Sequence, residues 1–209
     1  MDPQLLRLQK DMPYLFPMME QTIQNAYQHS QQTAAGMQSS PFFRKRGGFV
    51  LHVLVEAMLH RSLEEANFAG ITPRVVPNAN QSAVHLEIET PNGIIMVAKV
   101  TKVGGVPRAT KYRQKYIDQA VVAEVYPEYR LFTGECKPLY VITHCPDRAT
   151  ATHADIRIGR LSMDQAFWYC NHPFSLLANS CPVEEITPAE NVVEKEEIQK
   201  TTRIKLKKA

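Results

Sequence analysis

The sequence predicts an α/β fold, a small mixed β-sheet flanked by helices, and three observations predict it. A strongly apolar helical stretch runs from Phe49 to about Phe68. A hairpin follows, in which the alternating AVHLEIE of residues 83–89 is turned by Pro91-Asn92-Gly93 into the more apolar IIMVAKVTKV of residues 94–103. A second helix over about Lys111–Val125 then leads to strand patterns at Leu139–Thr143 and Asp155–Leu161. A helix, a three-stranded meander, a crossing helix and further strands make one layered core.

Each element has a local reason. Leu5 and Leu8, then Phe16, Met19, Ile23, Ala26 and Tyr27, recur at helical spacing, and Pro13 and Pro17 break the run, so two amphipathic helices with a kink are expected. Gln31–Pro41, rich in Gln, Ser, Thr, Ala and Gly, reads as a linker. The following helix carries apolar residues nearly all round its first part and is expected to be buried, with Gly70 placed to end it. The prolines of Ile71–Pro77 favour extended chain. Met163–Cys170 reads as a short helix. From Glu184 six acidic residues precede most of six basic ones at low hydrophobicity, the composition of a mobile tail. The expected organisation is an N-terminal helical segment and linker over 1–40, an α/β core over 41–183 and a charged tail over 184–209.

The totals narrow the class. A chain of 209 residues, 44% hydrophobic and 22% charged, suits one globular domain with tails. No apolar run reaches the ~20 residues that span a bilayer. The amino terminus lacks the basic-then-apolar order of a secretory signal, so a cytoplasmic location is expected. Four cysteines without a CxxC pair argue against a zinc ribbon and read as free thiols.

The element order, together with Lys99 in Val97-Ala98-Lys99 on the second hairpin strand and Glu56 on the preceding helix, resembles the core of the PD-(D/E)XK nuclease superfamily over about residues 48–145. That resemblance implies a helix before three strands, and a helix and strand after them. It also implies an acid near the start of the second strand and an acid two residues before a lysine on the third, which together hold a divalent metal and activate water. Here the lysine is present. Val97 replaces the acid, and Asn78 and Asn80 stand where the first acid belongs. The resemblance therefore implies a degenerate, non-catalytic scaffold with no metal ligands and no cofactor. In an active variant, Mg²⁺ would be held with Glu87 or Glu89 recruited beside Glu56 and Lys99.

Charge patterning gives the second candidate surface. From Lys99 to Lys115 there are six basic residues (Lys99, Lys102, Arg108, Lys111, Arg113, Lys115) and no acid, with Tyr112 and Tyr116 interleaved. Such a run suits a phosphate backbone as well as a solvated helix face. Arg44-Lys45-Arg46 and the Lys205–Lys208 end extend the footprint. His52, Glu56, His60 and Glu64 recur every four residues, as an exposed edge or a polar pocket, with His52 and His60 too far apart to share a metal. Cys145 and His153 form a nucleophilic pair only if they meet in space, and Phe167-Trp168-Tyr169 reads as core or interface.

The expected function is a non-catalytic nucleic-acid-interacting accessory protein on a nuclease-like scaffold. The alternatives are a protein-interaction regulator such as a toxin-neutralising antitoxin, using the N-terminal helices and tail, and a divergent metal-dependent nuclease.

Overall fold

The computed structural model describes residues 2–37, 41–78, 83–125, 137–146 and 153–179, with the side chains of residues 4, 34–48 and 121–125 left out of the description. The expected tail from Glu184 lies outside the described residues. The chain opens with α1 (Pro3–Asp11) and α2 (Leu15–Met37). Pro17 is accommodated in the first turn of α2, where no backbone N–H is needed. Gln31–Met37 belongs to α2 rather than to a linker, because Gln and Ala are good helix formers and Gly36 falls at the helix end.

Helix α3 (Pro41–Ala66) starts at a proline, earlier than the apolar pattern indicated, and runs through Gly47-Gly48. It ends where Asn67 adopts φ +46°. Leu51, Val55, Leu59 and Leu63 are buried at intervals of four. Phe49 is 64% and Val53 46% exposed, so this helix is not enclosed as its composition suggested. Lying on one sheet face beside α2, it has a single side to bury.

Among the described residues six strands, β1 (Thr72–Pro77), β2 (Val84–Thr90), β3 (Gly93–Lys99), β4 (Leu139–Pro146), β5 (Ala154–Leu161) and β6 (Trp168–Pro173), are arranged in chain order across one sheet. Every neighbouring pair is antiparallel except β3 and β4, which run parallel and are bridged by α4 (Lys111–Val125). A short α5 (Ser175–Ala178) follows β6. The prolines of β1 sit on an outer strand, where a missing donor is tolerated. The stretch expected as a helix at Met163–Cys170 is a turn leading into β6. The Ser162 hydroxyl accepts hydrogen bonds from the N–H groups of Ala166 and Phe167, and Gln165 at φ +56° reverses the chain.

Strand alternation divides the sheet into two covered faces. On the first, Leu86, Ile88, Ile95, Val97, Tyr140, Ile142, Ile156 and Ile158 pack against α1, α2, α3, Phe174 and Leu177. The expected N-terminal segment is part of this core, since Leu5, Leu8, Phe16, Ile23 and Tyr27 are almost fully buried in it, each burial worth about 1.5–3 kcal/mol. On the second face, Met96, Ala98, Val141 and Leu161 pack with Ile117 of α4, flanked by Tyr112, Tyr116 and Trp168. Among the described residues no helix is long and apolar enough to cross a membrane.

Candidate functional site

Two polar constellations lie on opposite faces of this sheet. The first stands at the carboxyl ends of the parallel strands β3 and β4, a position where α/β sheets often hold ligands. Tyr27 of α2 lies 2.9 Å from His144 Nδ1, and His144 Nε2 lies 3.2 Å from His52 Nδ1. His52 Nε2 is 3.7 Å from Glu56 Oε2, and Glu56 Oε1 accepts the Leu86 N–H at 3.0 Å. One proton arrangement serves all members: the Tyr27 hydroxyl donates to His144, His144 donates to His52, and His52 directs its remaining N–H to Glu56. Burial, reinforced for His144 by His52 and for both rings by Lys99, pushes the imidazole of His52 down to about 4 and that of His144 to about 3. With the ring of His52 neutral, its contact with Glu56 is polar rather than an ion pair. Burial raises the Glu56 carboxyl, partly offset by the Leu86 N–H. Every member has a partner and is wholly or largely buried, so this network braces α2, α3 and β4 together.

Lys99 stands opposite His144 in the β3–β4 register, on this same face, and burial lowers its ammonium. Glu87 does not join it. Glu87 pairs with Met96 in the hairpin and shares the α4 face with Met96 and Ala98, whereas Lys99 falls on the same face as Ile95 and Val97, toward α3. The sheet therefore separates Glu87 from Glu56 and Lys99. Val97, at the position of the missing acid, is a core residue 2% exposed. These residues do not fit a Mg²⁺ site, and among the described residues no three His, Cys, Asp or Glu side chains are grouped as metal ligands.

The second constellation is an open groove of about 690 Å³ between the β1–β2 edge and α4. Val76 and Pro77 form its strand side, and Thr110, Lys111, Tyr112, Lys115 and Tyr116 its helix side. His85 and Glu87 lie between them, each 7% exposed. The alternation of residues 83–89 indicated a strand with one wet face. Instead Tyr112 and Tyr116, one helical turn apart on α4, cover those polar positions. The Tyr112 ring stacks on His85 with centroids 3.9 Å apart, and the Tyr116 hydroxyl donates to Glu87 Oε2 at 2.7 Å. His85 Nε2 lies 2.9 Å from Glu87 Oε1. Burial pushes the Glu87 carboxyl up, but the bonds from His85 and Tyr116 and the nearby Lys115 outweigh it, so it titrates below the usual carboxylate range. Burial and the bond to Glu87 push the Tyr116 hydroxyl up to about 12.

The carboxylate accepts, so His85 Nε2 carries the proton between them and Nδ1 is left over. That Nδ1 is buried and has no hydrogen-bond partner among the described residues, and the same is true of Thr110 Oγ1. Both residues line the groove. An orphaned buried polar atom costs about 1–3 kcal/mol, and a ligand that satisfies it recovers that cost. The groove is therefore the candidate site, and the satisfied histidine network is not.

The basic run divides into exposed and committed members. Lys102, Arg108, Lys111 and Lys115 are exposed, the two lysines of α4 on the groove itself. Arg113 is 2% exposed, donating to Gln165 Oε1 at 3.3 Å and to the Arg108 carbonyl, so it is not available to a phosphate. Gln165 also accepts the Thr110 N–H and donates to the Thr110 carbonyl, which fixes the start of α4. Replacing Arg113 by alanine is expected to lower stability by about 2–3 kcal/mol in urea unfolding, whereas Lys111→Ala stays within about 0.5 kcal/mol. Equal stability of the two variants would show that the guanidinium is not structural.

Arg44, Lys45 and Arg46 fall in the first turns of α3, with their side chains outside the description, as are Lys205–Lys208. His60 and Glu64 form an exposed-side pair at 3.3 Å. Cys145 is buried opposite Asp155 in the register, and His153 is exposed. Of the aromatic cluster, Phe167 and Tyr169 are exposed, while the indole of Trp168 donates to the carbonyl oxygens of Gly104 and Gly105 and pins the loop before α4. No protein-family model matches the sequence, and neither curated proteins nor solved structures give a significant match to the chain.

Proposed function

We propose that this chain is a non-catalytic nucleic-acid-binding protein on a nuclease-like scaffold, with the groove between β2 and α4 and its basic rim as the contact surface. The carrying observation is the placement of exposed Lys111 and Lys115 beside Tyr112 and Tyr116 on one groove, with exposed Lys102 and Arg108 on the loop that leads into it. Cations set around aromatic rings suit an unpaired strand, whose phosphates meet the lysines while its bases meet the rings. The element order helix, three strands, helix, parallel strand supports the scaffold reading, and the apolar Val97 supports a non-catalytic role.

Fluorescence anisotropy with labelled oligonucleotides at several salt concentrations tests this reading. Binding of single strands is expected to weaken as salt rises, with a slope of about 0.7 per phosphate contact. The combined change of Lys102, Arg108, Lys111 and Lys115 to alanine is expected to reduce affinity at least about tenfold and flatten that slope. Salt-insensitive binding, or unchanged affinity in the combined variant, overturns it. A protein-holding regulator is the second reading, favoured by the exposed apolar Phe49, Val50 and Val53 on α3; a stoichiometric polypeptide that co-purifies without nucleic acid would favour it.

A further inference from the structure

Resting on that reading, we propose that the groove selects one unpaired nucleotide whose base carries a ring N–H on its pairing edge, namely guanine, uracil or thymine. The choice follows from His85. Its Nε2–H is fixed on the Glu87 carboxylate at 2.9 Å, so Nδ1 is the position left to accept in the uncharged tautomer. An acceptor of fixed polarity takes an N–H and rejects another lone pair. At the ring position of that edge adenine and cytosine present a bare nitrogen, with N–H only on the amino group to one side, whereas guanine, uracil and thymine present N–H there. Thr110 Oγ1, the other orphan on the groove, both donates and accepts, so it can serve the carbonyl beside that N–H.

The rest of the groove suits a nucleotide. Its volume of about 690 Å³ falls in the range of small-molecule sites, and its pairing-edge contacts are reachable only by a base that is not already paired. Val76 and Pro77 oppose the tyrosines as apolar walls, and Lys111 and Lys115 stand ready for the phosphate. Tyr112 stacks on the face of the imidazole, whereas the Nδ1 lone pair lies in the ring plane, so an entering base meets Nδ1 edge-on and displaces part of the wall that buries it.

The experiment is calorimetric titration of the full chain with GMP, UMP, AMP and CMP at pH 8. GMP and UMP are expected to bind at least about tenfold more tightly than AMP and CMP, the discrimination of one buried hydrogen bond. His85→Gln keeps an amide donor for Glu87 and deletes the Nδ1 acceptor, so it should abolish the preference, while Lys111→Ala weakens all four alike. Should the glutamine variant not fold, ¹⁵N spectra of the wild-type imidazoles supply the second readout: the His85 Nδ1 resonance is expected to move on adding GMP and to stay on adding AMP. Equal binding of the four nucleotides, or a preference retained in His85→Gln, overturns the inference. Oligonucleotide binding with a normal salt dependence but no response to any monophosphate overturns it too, leaving the broader reading intact. Failure of both oligonucleotides and monophosphates removes both.

Discussion

Gly159→Ala is expected to destabilise the fold by about 3 kcal/mol or more and to release the last strand from the sheet. Gly159 lies on β5 opposite Asn171 of β6, next to the irregularity in pairing at Arg160 and Leu161. A methyl group there would overlap the Cys170 carbonyl oxygen, and it would also stand 2.9 Å from the carbonyl carbon and 3.0 Å from Asn171 Cα. All three are backbone atoms, so no side-chain rotation relieves the clash. The damage reaches further than the strand, because β6 carries Trp168, whose indole holds the Gly104–Gly105 loop, and Asn171, which accepts from Arg157 Nε at 3.1 Å. Trp168 is the single tryptophan of the chain, so its emission reports this region alone. Urea unfolding should show the lost stability, and the indole emission in native buffer should shift to the red. Stability within about 1 kcal/mol of wild type, with unchanged emission, would mean that β6 is not held against Gly159 as described.

Acidification is expected to produce the other large effect. His52 and His144 have folded-state values near 4 and 3, both below the ordinary value of 6.5, because burial disfavours the imidazolium and Lys99 adds to it. The unfolded chain then binds more protons than the folded one at mildly acidic pH, so stability rises with pH. The contribution is complete above about pH 6.5 and is lost as pH falls through 6.5 toward 4, at up to about 1.4 kcal/mol per pH unit for each ring. The raised Glu56 carboxyl works in the opposite direction, since the folded state holds its proton more tightly, and offsets part of that loss. Tyr27 on α2, Glu56 on α3 and Lys99 on β3 are titratable groups of this cluster, and Arg113, Cys145, Asp155 and His85 act on its members electrostatically. Urea midpoints measured from pH 7.5 to 4.5 should fall steeply, and His52→Gln with His144→Gln should flatten the profile. A double variant with the wild-type slope would place the titrating groups elsewhere.

The hairpin, α4 and β5 were legible because their patterns are local: alternation over seven residues, a Pro-Asn-Gly turn, and a helical stretch with a loop before it. The start of α3 was not, because Gly47-Gly48 looks like a break and the helix nevertheless runs through it. Met163–Cys170 failed for a related reason. Its composition is neutral between helix and strand, and a serine hydroxyl with a left-handed glutamine decides the turn.

The candidate site was legible as charge but not as geometry. The run containing Lys111 and Lys115 falls on the helix that walls the groove, while the burial of Arg113 depends on Gln165, fifty-two residues away in sequence. The separation of Glu87 from Lys99 had a readable signal. A tight turn that pairs Thr90 with Gly93 fixes the register, and that register puts Glu87 beside Met96 and on the opposite side from Lys99. His85 and Thr110 carried no signal alone, since an orphaned nitrogen and hydroxyl emerge only when α4 is laid over β2.

The parallel contact between β3 and β4 has a kinetic meaning. Strands β1 to β3 form one local antiparallel ribbon and β4 to β6 another, so within the sheet the seam between them is the one junction that waits for a distant part of the chain. Loop-closure entropy is concentrated there, and the pace at which this sheet assembles is set by how readily α4 brings its two ready-made halves into register.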